Sequence, residues 1–274
     1  MDKILLIDGL NFIFRASVAF KPKIEDLDKP NNTIVFNFFR NLRALVEQFN
    51  PDKVFFVLEG TGKFRYDLYP KYKGNRIIKT ASQQETRDDF HRQKREIIRL
   101  LSYLPITIVK SPDYECDDTI GTLVENLKDE DITVVSNDSD FIQLLQKGYK
   151  NLKIYNPMKK EFMIAPSYHY VVFKALKGDK SDNIDGLVSE KKAETYCNNP
   201  EDFKKFLSLE ENWSNFSLNK QLIEIKILKD DDLNFIEYNI DFEKLKIEFQ
   251  LMEFESIIKE PYWTKFKDTF SNLR

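Results

Sequence analysis

Short apolar runs rich in β-branched and aromatic residues recur along the chain: KILLID (3 to 8), KVFFVLEG (53 to 60), ITIVKS (106 to 111), ITVVSND (132 to 138) and LKIYNP (152 to 157). Most are apolar on both faces, the pattern of strands covered on two sides. Helical spacing separates them: one pattern opens at Thr33 and runs to residue 49, and another, 114 to 128, carries Ile120, Leu123, Val124 and Leu127. Strands alternating with helices predict an α/β fold with a central, mainly parallel sheet flanked by helices. In such sheets ligands bind outside the carboxyl ends of the strands. From about residue 160 the strand signal fades into helical pattern. We therefore expect an α/β core over 1–160 and a helical region over 161–274.

The chain has 274 residues and is 42% apolar, enough for a sizeable core. No apolar run is long enough to cross a membrane, and the first residues do not follow a secretory pattern. Cys116 and Cys197 are too few for a disulfide framework and lack metal-finger spacing, so a soluble, cytoplasmic protein is expected. Net charge is only -3, but residues 63 to 99 hold eleven Lys/Arg against five Asp/Glu. A basic segment of local balance +6 is set into a body that carries the remaining -9.

Acids collect where the predicted strands end. Asp8 follows the first strand, Glu59 the second, Glu115, Asp117 and Asp118 the third, and Asp138 and Asp140 the fourth. If the fourth strand stays extended through Asp140, Asp138 and Asp140 share a face, because side chains alternate with period two. GDKSDN adds Asp179 and Asp182. Carboxylates gathered at one edge repel each other and must protonate or find cations. An all-oxygen set without His suits Mg²⁺ or Mn²⁺ rather than zinc. Two such ions roughly 3.5 to 4 Å apart can activate water and stabilise the leaving oxygen of a phosphodiester. Any single pair has a plainer explanation: Asp140 and the Glu115 group can serve helix N-termini, and Asp26 with Asp28 is a chance pair. Capping does not explain Asp8 and Glu59 as well.

The basic segment interleaves Phe64, Tyr66, Tyr69 and Tyr72 with Lys71, Lys73 and Arg76. Cations that track phosphates beside aromatic faces that accept bases suit single-stranded nucleic acid. YKGNR follows the acid at Glu59 closely enough to arch above the acidic edge. Arg92, Lys94, Arg95 and His91 read as the solvated face of an ordinary helix.

Together LLIDGLNFIFRA, YKGNR, YECDDTIGTL, VVSNDSDFIQLL and GDKSDNIDGL resemble the structure-specific 5′-nuclease family, which includes flap endonucleases, the 5′-exonuclease domain of bacterial DNA polymerase I and stand-alone bacteriophage 5′-exonucleases. The resemblance covers nearly the whole chain. It implies a PIN-like α/β core with a helical arch over 61–99, and a modified helix-hairpin-helix-like DNA-binding motif in 161–274. It implies a Mg²⁺-dependent 5′-3′ exonuclease or flap endonuclease acting near 5′ ends or branch junctions in DNA replication, with RNA primers as further substrates. By position Asp8, Glu115, Asp117, Asp138 and Asp140 match metal ligands, with Glu59, Asp118, Asp179 and Asp182 completing the set. Lys73 and Arg76 match arch cations that contact the scissile phosphate, with Lys71 and Tyr72 beside them. A monomeric, phage-type enzyme in a host cytoplasm is expected, with a replication polymerase or single-strand-binding protein as partner.

Two departures stand out. Glu59 replaces the family's usual Asp, one methylene longer. Gly186 to Ala193, GLVSEKKA, is two residues shorter than the family's G-V-x-G-I-G-x-K-x-A and lacks its glycine pair. That puts the backbone grip on duplex phosphate and a K⁺ site in doubt, and leaves Lys191 and Lys192 as plain phosphate contacts. A non-catalytic DNA-binding relative therefore stays open. A haloacid-dehalogenase-type phosphatase does not fit well, because Asp8 is followed by Gly9 and Leu10 where that chemistry needs a second Asp.

Overall fold

The computed structural model describes residues 1–18, 31–236 and 238–274; Asp26 and Asp28 lie outside them. In chain order the elements are β1 (Lys3–Asp8), α1 (Gly9–Val18), α2 (Thr33–Phe49), β2 (Lys53–Leu58), α3 (Lys63–Leu68), α4 (Ala81–Leu101), β3 (Thr107–Lys110), α5 (Cys116–Asn126), β4 (Asp131–Val135), α6 (Ile142–Leu145), β5 (Leu152–Asn156) and β6 (Glu161–Phe162). There follow α7 (Tyr170–Lys177), α8 (Glu190–Asn198), α9 (Pro200–Leu207), α10 (Glu210–Ile223), β7 (Asn234–Ile236), α11 (Phe242–Leu251), α12 (Glu255–Ile258) and α13 (Tyr262–Ser271).

The expected architecture is present. Among the described residues seven strands form one sheet in the order β6-β5-β4-β1-β2-β3-β7, with β1 to β5 parallel and the two edge strands antiparallel. The chain enters at the centre, steps outward to β2 and β3, then crosses back to place β4 on the other side of β1. That reversal opens a crevice at the carboxyl ends of β1 and β4, where such sheets take their ligands. Register keeps the tips level: Asp8 pairs with Val57, and Ile7 with Val135.

Apolar side chains on alternate residues of the strands feed two cores. Leu5, Ile7 and Phe56 pack under α1, α2 and α4, while Ile4, Leu6 and Val57 pack under α5 and the Phe141–Leu144 turn. Phe38 meets Phe12, Phe39 and Phe56 edge-on at centroid distances of 5.5, 5.2 and 5.6 Å. Burying such a ring stabilises the fold by about 2 to 3 kcal/mol, so the tips of the central strands rest on a firm base.

Three features differ from the sequence pattern. β4 ends at Val135, so Asp138 and Asp140 lie beyond the strand and the alternation that would place them on one face does not apply. β6 and β7 are only two and three residues long, too short to leave a periodic signal. The region after 160 also divides. Helices α7, α8 and α10 close around Val171, Phe173, Leu176 and Phe216, with Tyr72 in the same cluster. Leu245, Phe249, Phe266 and Phe270 of α11 and α13 instead return to the main core beside α2.

Candidate active site

Each strand tip delivers its acid for a local reason. Asp8 ends β1 and is 6% exposed; it accepts hydrogen bonds from the Ser136 hydroxyl at 2.8 Å and the Asn11 amide at 3.1 Å. Glu59 follows β2 and accepts the Cys116 amide at 3.0 Å. The next residue must be Gly60, because a Cβ there would stand 2.1 Å from the carbonyl oxygens of both Ser111 and Tyr114. That close approach brings the β2 tip beside the turn carrying Glu115, which N-caps α5 in a reciprocal box with Asp118. Asp138 accepts the Asp140 amide at 2.9 Å, capping the short 3₁₀ turn Ser139–Phe141. The plain capping explanation of that acid and its metal-site reading are compatible, since one carboxylate oxygen is left over.

The basic motif locks onto the distant GDKSDN turn. Asp179 and Ile184 exchange backbone hydrogen bonds at 2.9 and 2.8 Å, which shapes the turn. Lys73, at φ 52°, donates its amide to the Asp182 carbonyl at 2.9 Å. Asn75 Nδ2 donates to the Lys180 carbonyl at 2.6 Å, Asn183 Nδ2 to the Lys71 carbonyl at 2.8 Å, and Arg76 Nη2 to Asp182 Oδ1 at 2.8 Å. YKGNR is therefore clamped at the rim of the acidic edge. Lys73 Nζ reaches Glu115 Oε1 at 2.6 Å, and the Tyr72 hydroxyl stands 3.0 Å from Glu115 Oε2.

Two walls face one cleft of about 890 Å³, lined among others by Lys73, Arg76, Asp117, Asp138, Asp140 and Asp182. Its electrostatics are those of crowded acids. Burial pushes Asp8 up to about 6, with Asp138 adding repulsion, and burial with Glu115 pushes Glu59 up to about 7. Burial, then Asp138 and Asp8, raise Asp117 well above the usual carboxylate range. Burial also raises Asp140, against the pull of Lys174. Burial acts the same way on Asp179, but there Lys174 and Ser181 prevail and hold it at about 2. Carboxyls that raise one another in this manner carry more negative charge than the site neutralises, and an oxygen-only donor set fits hard divalent cations. Among the described residues no three acidic, His or Cys side chains surround one point as they stand. Lysines hold several of them instead: Lys73 takes Glu115, and Lys174 takes Asp140 and, at 2.5 Å, Asp179.

The chain is similar to known proteins over most of its length. The model of the 5′-3′ exonuclease N-terminal, resolvase-like domain matches residues 3–173. The chain belongs to the 5′-3′ exonuclease family. The 5′-3′ exonuclease of Bacillus subtilis is 35% identical over 211 residues, covering 70% of this chain and 68% of that protein. DNA polymerase I of Streptococcus pneumoniae is 33% identical over 203 residues, and the match spans only 22% of the polymerase. The bacteriophage T5 flap endonuclease, solved with DNA and metal ions, shares the fold at a TM-score of 0.62 and 17% identity over 98% of both chains. Human GEN1, solved with Holliday junction DNA, shares it at 0.52 and 15%, over 98% of this chain and 71% of that one. The matched exonuclease domain stops short of Asp179, Asp182 and the 186–193 loop, so these three rest on geometry and on the resemblance of their motif.

Within this member of the 5′-3′ exonuclease family several expected site residues stand differently from the sequence reading. Asp118 is fully buried and spends both oxygens on Arg65, at 2.5 and 2.9 Å, and accepts the Lys226 and Glu115 amides, so it has no oxygen free for a metal. Tyr72 is 1% exposed, its ring inside the core and its hydroxyl between carboxylates, and no base can stack on it. Lys94 is half-buried with its charge toward Glu59, not on a solvated face, and Arg92 ties α4 to Asn31 and Asn32. His91 pairs with Arg87 on α4 and Arg95 is exposed. Lys71, Lys191 and Lys192 are exposed, Lys192 lying over the Tyr196 ring at 5.5 Å. In the altered loop the Leu187 and Val188 amides both donate to the Leu176 carbonyl, at 2.8 and 3.2 Å, so neither faces a phosphate. Sequence reasoning missed Arg65, Lys174, Ser136 and the thiol of Cys116, 3.7 Å from Asp8 Oδ1. Only Lys174 left a trace, as a cation on the apolar α7 just ahead of GDKSDN.

Proposed function

We propose that the protein is a divalent-metal-dependent 5′-nuclease that hydrolyses DNA phosphodiesters near 5′ ends and branch junctions. The observation that supports this reading is the clamp between YKGNR and GDKSDN, which sets Lys73 and Arg76 in one cleft with Asp117, Asp138, Asp140, Asp179 and Asp182, while Lys73 also reaches Glu115. Asp8, Glu59, Glu115, Asp117 and Asp138 would hold ions on the sheet side, and Asp140, Asp179 and Asp182 on the helical side. Bound divalent ions, Mg²⁺ in the first place, supply charge neutralisation and an activated water to this chemistry. Lys73 and Arg76 are placed to offset charge on a phosphoryl group entering at the rim, which is where such donors lower a barrier most. Arg76 is exposed and would exchange its bond to Asp182 for a phosphate, whereas the less exposed Lys73 must leave Glu115 to do so. Lys71, Lys191 and Lys192 extend the cationic track on the outside and would position the backbone.

The altered 186–193 loop favours plain lysine contacts over a K⁺-assisted grip on the duplex, which predicts weak duplex affinity with steep salt dependence. The 161–223 portion is the duplex-binding part in this reading, and replication intermediates are the substrate class. End-labelled flap, nicked, single-stranded and RNA-primed DNA, incubated with Mg²⁺ or EDTA, tests it. Metal-dependent release of short 5′ products supports the assignment, and the RNA-primed substrate shows whether primers are cut. Tight binding with no cleavage in any metal would instead make the chain a non-catalytic DNA-binding member of the fold.

A further inference from the structure

Arg65 is buried at 3% exposure on α3, at the foot of the basic segment, and its guanidinium joins three parts of the chain. Nη1 and Nη2 grip Asp118 of α5 in a two-point fork at 2.5 and 2.9 Å. Nε donates to the Leu222 carbonyl at 2.8 Å and Nη2 also to the Glu224 carbonyl at 3.3 Å, at the end of α10. Nη1 further stands 3.6 Å from Oε2 of Glu115, the oxygen that the Tyr72 hydroxyl also meets. Asp118 in turn accepts the Glu115 amide at 3.3 Å and the Lys226 amide at 2.9 Å. Backbone fit along this junction is close: a Cβ on Gly121 of α5 would come within 2.4 Å of the Ile225 side chain.

We propose that Arg65, acting with Asp118, is a positioning residue for the active site: it fixes Glu115 against Tyr72 and Lys73 and couples the foot of the basic segment to the metal-holding acids. The pair touches neither cleft nor substrate. A planar fork with two parallel bonds sets an angle as well as a distance, which a lysine cannot do. Partners behind a metal ligand typically govern metal affinity or rate by about 10- to 100-fold. The salt bridge also has a stability role, because removing one partner leaves the other charged and buried. A test must therefore separate stability from positioning.

The inference rests on the nuclease reading, and the full-length protein serves for both. Arg65→Met, Asp118→Asn and the double variant are compared with Arg65→Lys by thermal unfolding, by calorimetric titration of Mn²⁺ without DNA, and by flap cleavage over a Mg²⁺ series. Each single truncation lowers Tm. The double variant, free of any unpaired buried charge, recovers Tm but keeps a weakened Mn²⁺ affinity and a kcat lowered by about tenfold or more, with KM for DNA near the wild-type value. Arg65→Lys keeps the charge yet shows the same kcat and Mn²⁺ loss. Recovery of Mn²⁺ affinity and kcat together with Tm in the double variant, or a folded Arg65→Lys with wild-type values, overturns the proposal. An inactive wild type that binds Mn²⁺ contradicts the nuclease reading instead, and the Mn²⁺ titration still judges Arg65.

Discussion

The hydroxyl of Tyr72 lies 2.9 Å from Oδ2 of Asp182, although 110 residues separate the two in the chain. The same hydroxyl stands 3.0 Å from Oε2 of Glu115. A phenol has one proton to donate, so it serves one carboxylate at a time and ties Glu115 of the sheet side to Asp182 of the GDKSDN turn. Tyr72→Phe removes that bridge without opening a cavity. We expect a stability loss of about 1 kcal/mol in urea unfolding, since one buried hydrogen bond goes, and a fall in kcat with DNA affinity retained. An unchanged kcat would show that the bridge orders nothing the reaction needs.

Lys174 occupies the space between Asp140 and Asp179. Replacing it by Met leaves two carboxylates facing each other without a cation. In EDTA the Lys174→Met protein should lose roughly 3 kcal/mol of stability, the order expected when one partner of a largely buried pair is removed. Mn²⁺ should then restore more Tm than in the wild type, because no ammonium competes for those oxygens. Equal unfolding curves in EDTA and equal Mn²⁺ stabilisation would contradict this.

The raised carboxyls give the chelated protein a pH dependence of definite sign. Asp8 and Glu59 sit at about 6 and about 7, chiefly through burial. In the unfolded chain such groups ionise near 4, so between about pH 4 and pH 7 the folded protein binds more protons. The stability these two contribute therefore falls as pH rises through that window. Asp179, held at about 2, acts in the opposite sense but below it. Calorimetry in EDTA should find a higher Tm near about pH 5 than near about pH 8, with excess divalent cation abolishing the difference because it binds the ionised form. A chelated Tm that climbs steadily over the same range would contradict the assignment.

How much of this was legible depends on where the information lies. Strands β1 to β5 and α2 were readable because they are covered on one face or two, and burial writes a period into the sequence. The acids at the strand tips were readable because four separate segments repeat one arrangement, strand then carboxylate. Asp118 and Arg65 were not, since an acid that binds metal and an acid that binds a guanidinium look alike until a partner 53 residues away is placed beside it. Tyr72 misled for a similar reason: between Lys71 and Lys73 it looks solvent-facing, yet it turns into the cluster under α7 and α10. Asp138 and Asp140 both line the cleft, though not through strand alternation. The strand stops three residues before Asp138, and a capped turn rather than strand alternation aims the pair at the cleft.

The central claim is that these acids cut DNA and that the cations around them hold it. An Asp138→Asn/Asp140→Asn double variant tests it most directly, on an end-labelled flap substrate with binding and cleavage measured in the same preparation. The variant should bind the flap at least as well as the wild type, since two negative charges are gone from the cleft, and should release no 5′ product in Mg²⁺. Cleavage at the wild-type rate would contradict the account.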